Sequence, residues 1–196
     1  LDIIGTGTTL NRNISNHGQT RLNAVVTPGF MLGGSATLTN ESDGTLRILD
    51  EPLLETDSNY NRLRATGLDV VNAGTMTIGA LTPQSGSAAL PWFWLDQSFT
   101  NTGSLSLMQS TTFTVEGAFT NSGAITLANN SQITALGGGT LQGTLALGPE
   151  ANSFAVFRGA TIYDTGATFT GSGGFVSIEG GTLHTTAGNY QPTVNL

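Results

Sequence analysis

The chain has 196 residues, enough for one sizeable core or a run of stacked repeats, and a second domain is not required. It has no Lys, and six Arg against thirteen acidic residues leave a formal charge of −7, which disfavours nucleic acid and anionic lipid as partners. The absence of Cys excludes disulfides and thiolate metal sites, and no stretch approaches the roughly twenty apolar residues that cross a bilayer.

Gly, Thr, Ser and Asn are abundant and only 10% of residues are charged, a mixture that suits strands and turns better than helices. Along the chain one phrase recurs: Asn, a small or polar residue, Gly, then alternating apolar residues. Ile14-Ser15-Asn16-His17-Gly18 is a degenerate first copy, and Leu38-Thr39-Asn40 leads through Asp43 to Gly44-Thr45-Leu46-Arg47-Ile48.

The segment 50–64 follows, polar and containing Pro52, and reads as an inserted loop. Asp50, Glu51, Glu55 and Asp57 are its acidic cluster. They read either as oxygen ligands for Ca²⁺ or as a solvated loop with Arg62 and Arg64 as ion-pair partners. The stretch Leu53–Leu68 is the nearest approach to a helical pattern and predicts at most one short helix.

Val71-Asn72-Ala73-Gly74-Thr75-Met76-Thr77-Ile78 restores the phrase, and 81–96, with Pro83 and Pro91, reads as a second inserted loop. Within it lies Trp92-Phe93-Trp94, holding both tryptophans of the chain. In an extended segment Trp92 and Trp94 face the same way. They are the candidate binding residues, for a sugar ring or a protein surface; otherwise the insertion folds back to cover apolar surface.

The clearest copies come next. Phe99-Thr100-Asn101-Thr102-Gly103-Ser104-Leu105-Ser106-Leu107 is followed twenty residues later by Phe119-Thr120-Asn121-Ser122-Gly123-Ala124-Ile125-Thr126-Leu127, and Gly143-Thr144-Leu145-Ala146-Leu147 keeps the displacement. Alternation at Leu105/Leu107 and Ile125/Leu127 marks strands with one buried face. Asn72, Gly74, Asn101, Gly103, Asn121, Gly123 and Gly143 are taken as turn positions, because Asn and Gly tolerate positive φ at a corner. Beyond Gly143 shorter Gly-led strands continue to the C-terminus.

A recurring phrase of this length predicts stacked coils of about twenty residues with insertions as outside loops. The expected fold is therefore all-β, a single right-handed parallel β-helix (β-solenoid) over residues 1–196, clearest over 14–147. An antiparallel β-sandwich is the alternative, since it also shows short strands between Gly-rich turns.

The Asn-Ser-Gly-Ala-Ile-Thr-Leu type of repeat resembles bacterial surface β-solenoid proteins: filamentous-haemagglutinin-like adhesins, autotransporter passengers and other large secreted repeat proteins. The resemblance implies an extracellular or cell-surface location and a structural or adhesive role, as a display rod or filament subunit, without catalysis or cofactor. The partners it implies are a second copy of the chain, a host or cell-surface ligand, or a glycan. The alternative function is a carbohydrate-binding or carbohydrate-cleaving β-helix.

Other motifs read as structural. His17 and His184 lie in distant coils, Glu116 and Glu179 stand singly, and Gly137-Gly138-Gly139-Thr140 lacks the Asp of calcium-binding nonapeptide solenoids. The runs at Gly5-Thr6-Gly7 and Gly171-Ser172-Gly173-Gly174 lack a following Lys or helix pattern and read as turns. Asn13, Asn40 and Asn129 open N-glycosylation patterns.

Overall fold

A computed structural model describes residues 1–4, 8–23, 30–49, 62–79, 91–149, 152–159, 161–171, 173–186, 189–190 and 193–195. Among them every regular element is a strand, and every pair of neighbouring strands runs parallel, in two sheets of nine and fifteen strands. The antiparallel sandwich is thereby excluded, because its neighbouring strands alternate in direction. The segment that came nearest to a helical pattern instead holds the strand Arg62–Asn72.

The first sheet stacks strands such as Thr75–Ile78, Ser104–Leu107, Ala124–Leu127 and Thr144–Leu147 in that order. The second sheet has two halves. One stacks Trp92–Leu95, Thr112–Val115, Gln132–Ala135, Phe154–Arg158 and Phe175–Glu179; the other stacks Phe99–Asn101, Phe119–Asn121, Gly139–Leu141 and Thr161–Asp164. The eleven-residue strands Phe30–Asn40 and Arg62–Asn72 run across both halves. The chain visits the first sheet, one half, then the other, and returns one level higher, an arrangement consistent with a parallel β-solenoid.

Register follows the repeat. Leu105 lies beside Met76 and Ile125, and Ile125 beside Leu145. Because side chains alternate along each strand, the apolar member of every pair enters the interior, where Leu105, Leu107, Ile125 and Leu127 are all buried. Each such burial contributes about 1.5–3 kcal/mol. Phenylalanines fill the opposite wall: Phe93 stacks on Phe113 at 5.1 Å and 7°, and Phe99 meets Phe113 edge-on at 5.0 Å.

The recurrent Asn is a buried ladder residue. Nδ2 of Asn16 donates to Oδ1 of Asn40, and the same bond repeats from Asn40 to Asn72, Asn72 to Asn101 and Asn101 to Asn121, each at 2.7 Å. The residues joined are 24, 32, 29 and 20 apart in sequence, so insertions of different length leave the ladder in step. Leu141 stands over Asn121 and ends it.

The recurrent Gly answers a second demand of stacking. None of Gly74, Gly103, Gly123 and Gly143 has a positive φ, nor do Asn72, Asn101 and Asn121; among the described residues the positive-φ residues that are not glycine are Leu49, Ser110 and Asn130. The chain does bend at Gly74, Gly103, Gly123 and Gly143, but no left-handed residue makes the bend. A Cβ on Gly103 would lie 2.2 Å from the carbonyl oxygen of Gly74, one on Gly123 2.1 Å from that of Gly103, and one on Gly143 1.9 Å from that of Gly123. Glycine is required there because backbone passes directly over backbone.

Candidate functional site

Trp92–Leu95 is a strand whose burial alternates, so the tryptophans point outward and Phe93 inward. Residues 92–95 therefore belong to the stack and not to an inserted loop, as do Arg62 and Arg64. The reason is the alternation Trp-Phe-Trp-Leu itself, which outweighs the turn chemistry before it. Residues 50–61 and 80–90, including the acidic cluster Asp50–Asp57, lie outside the described residues.

On the outer face, parallel register places Arg62 beside Trp92 and Arg64 beside Trp94. The guanidinium carbons lie 5.0 and 5.2 Å from the two ring centroids, and the indoles are 5.1 Å apart, tilted by 39°. Each cation–π contact at a partly exposed site contributes about 0.5–1 kcal/mol. Each guanidinium also takes one π-face of its indole, so a sugar ring stacking there must use the other face.

Arg64 is further fixed by Asp96, with Nε to Oδ1 at 3.1 Å and Nη2 to Oδ2 at 3.4 Å, and Glu116 lies 4.0 Å away. Nε1 of Trp92 donates to Oγ1 of Thr114 at 3.2 Å. Nε1 of Trp94 is buried with no hydrogen-bond partner among the described residues. The face continues up the stack through Thr112, Thr114, Gln132 and Thr134 to the ring pair Phe154 and Phe175, whose centroids are 4.3 Å apart.

The other candidates are placed apart. His17 faces Asp43 at 3.1 Å, whereas His184 stacks on Tyr163. Glu179 pairs with Arg158, whose hydrogen bonds hold its carboxyl below the ordinary glutamate range, with a smaller contribution from Ser177. Among the described residues no group of three His, Asp or Glu is placed to hold a metal ion. Asn40 is buried in the ladder, so its glycosylation pattern is inaccessible in the folded chain.

One concavity escaped the sequence reading. It lies where the long strands of the second sheet change register, and Asn13, Asp69 and Gln97 line it. No local phrase marks it, because the residues come from separate levels of the stack.

Compared with protein-family models, curated proteins and solved structures, the chain matches none of them.

Proposed function

We propose that this chain is an extracellular structural and adhesive module, non-catalytic, built as a right-handed β-solenoid with coils of about twenty residues, serving as a rigid rod or as one unit of a filament. The single observation that carries this reading is the continuous asparagine ladder through five levels of the stack, flanked by in-register apolar columns. Such a column resists shear and bending because each level is bonded to the next through side chains as well as backbone. The resemblance of the repeat to bacterial surface solenoids points the same way.

The outer face supports contact more than chemistry. Its acidic groups at the arginine–tryptophan patch, Asp96 and Glu116, both lie against Arg64, and Glu179 is engaged by Arg158. A general acid or base needs a proton to exchange with substrate, and an ion-paired carboxylate is poorly placed to hold one.

Electron microscopy and solution scattering of the purified chain test the reading. Nine levels at a strand spacing of about 4.8 Å give a rod of roughly 40 Å, or fibres in multiples of it. A compact, near-spherical particle overturns the rod, and release of reducing ends from a polysaccharide overturns the non-catalytic role.

The second reading, carbohydrate binding, is favoured by two outward indoles beside hydroxyl side chains on one face.

A further inference from the structure

The strand Phe30–Asn40 carries two residues, Gly34 and Ser35, where Arg62–Asn72 carries one, Gly67: Gly33 pairs with Thr66 and Ala36 already with Leu68. Such a bulge bends the strand and opens the surface beside it. Gly34 and Gly67 have φ of 144° and 70°, and a Cβ on Gly67 would fall 1.9 Å from the carbonyl oxygen of Gly34. The floor of the bend is thus bare backbone, and over it lies a pocket of about 310 Å³.

Its walls come from successive levels of the stack: Asn13, Ser35, Thr37, Asp69 and Gln97. Asn13 Oδ1 accepts from the Thr37 amide at 3.0 Å, which leaves its Nδ2 as a donor. Thr37 and Asp69 are register partners, so their side chains are neighbours on the outer face. Asp69 Oδ1 accepts from the amide and hydroxyl of Ser98, at 3.0 and 2.5 Å, while its Oδ2 takes no hydrogen bond among the described residues.

We propose that this corner pocket binds a neutral sugar residue through its vicinal hydroxyls. The inference rests on the adhesive reading and names the ligand for it. Two amides, two hydroxyls and a carboxylate oxygen supply both donors and acceptors, and a hydroxyl group needs both. Among the described residues the one ionisable side chain lining the pocket is Asp69, which repels anionic ligands. A single carboxylate with one oxygen already engaged is a poor cation site, since Ca²⁺ takes six to eight oxygens. The volume lies at the lower end of small-molecule sites, about 300–1,000 Å³, and suits one ring.

The test presents the full chain with glucan, galactan and mannan oligosaccharides, free glucose, galactose and mannose, and alginate as an acidic counterpart. Affinity is read by calorimetry. The expected result is saturable binding of at least one neutral probe, weakened tenfold or more by Asp69→Ala and by Ser35→Tyr. Ser35 is exposed, so its replacement fills the pocket without entering the core. Ser35→Tyr alone decides the matter if Asp69→Ala unfolds.

A free hexose binding as tightly as its oligomer identifies a free sugar as the ligand, and binding of the oligomer alone identifies a glycan; both support the pocket. Absence of neutral-sugar binding overturns it, as does preference for alginate. Binding lost in Trp92→Ala or Trp94→Ala but kept in Ser35→Tyr also overturns it and moves the ligand to the indole face. Each of these leaves the rod standing, because the rod is judged by microscopy.

Discussion

Replacing Asn101 by Leu removes two ladder bonds, one received from Asn72 and one donated to Asn121, both 2.7 Å. It leaves Oδ1 of Asn121 buried without a donor. At about 1 kcal/mol net for each ladder bond and about 1–3 kcal/mol for the orphaned acceptor, the ladder alone accounts for about 3–5 kcal/mol, and the longer Nδ2 bonds to the carbonyls of Gly103 and Ala124 are lost with it. Asn121→Leu breaks one ladder bond only, because Leu141 already stands above it. The group it strands, Nδ2 of Asn101, keeps the carbonyls of Gly103 and Ala124 at 3.4 and 3.3 Å. That change costs about 1–2 kcal/mol, and the new side chain gains contact with Leu141. Urea unfolding followed by circular dichroism reads the difference, about 2–3 kcal/mol, and amide exchange locates it at residues 101–127. Equal midpoints for the two variants, or a larger loss at Asn121, would refute the ladder as a stabilising element.

Gly123→Ala, whose methyl would meet the Gly103 carbonyl oxygen at 2.1 Å, lowers stability by about 3 kcal/mol or more, whereas Gly18→Ala, with nothing within 4 Å, stays within about 0.5 kcal/mol. Thermal unfolding of the two variants checks the contrast. Trp94→Phe deletes the buried unpaired Nε1 donor and leaves stability unchanged or raised by about 1 kcal/mol, while Trp94→Ala, which also removes the ring under Arg64, lowers it. Denaturation midpoints of both decide. The folded-state pKa of Glu179 lies below its unfolded value, chiefly through Arg158, so the pair adds stability above the ordinary glutamate pKa of about 4.3 and loses it as pH falls through the depressed value. The melting temperatures of the native chain and Glu179→Gln therefore differ from pH 8 to 5 and converge in acid; a gap that widens in acid contradicts the assignment.

The stack was legible because its levels repeat the same physical demands at the same place. Phe99 and Phe119, or Leu105 and Ile125, resemble each other because each is the other's neighbour in the core. The roles of Asn and Gly were harder to read. Both residues suit left-handed corners, and nothing in a single copy distinguishes a corner from an interior amide column or from crossing backbones. That distinction appears only when levels are superposed.

Trp92-Phe93-Trp94 is hard to place from sequence for a related reason: Pro91 and the turn formers before it read as a loop, whereas the strand begins at the very next residue. The corner pocket left no trace in the periodicity, since it arises from a two-against-one mismatch between Gly34-Ser35 and Gly67 that only pairing reveals. Where the indoles point was legible; that arginines from the level below lie on them was not, because thirty residues separate Arg62 from Trp92 along the chain.

The asparagine amides all donate in one direction, from Asn16 toward Asn121, and both termini of the run are closed: Gly18 and Thr20 supply donors to Asn16, and the Gly123 carbonyl receives from Asn121 at 3.3 Å. Such a one-way circuit accepts new members only in its middle. Duplicating residues 101–120 splices in another amide that receives from below and gives above, so the molecule can be lengthened in whole increments by copying an internal segment, with neither extremity redesigned.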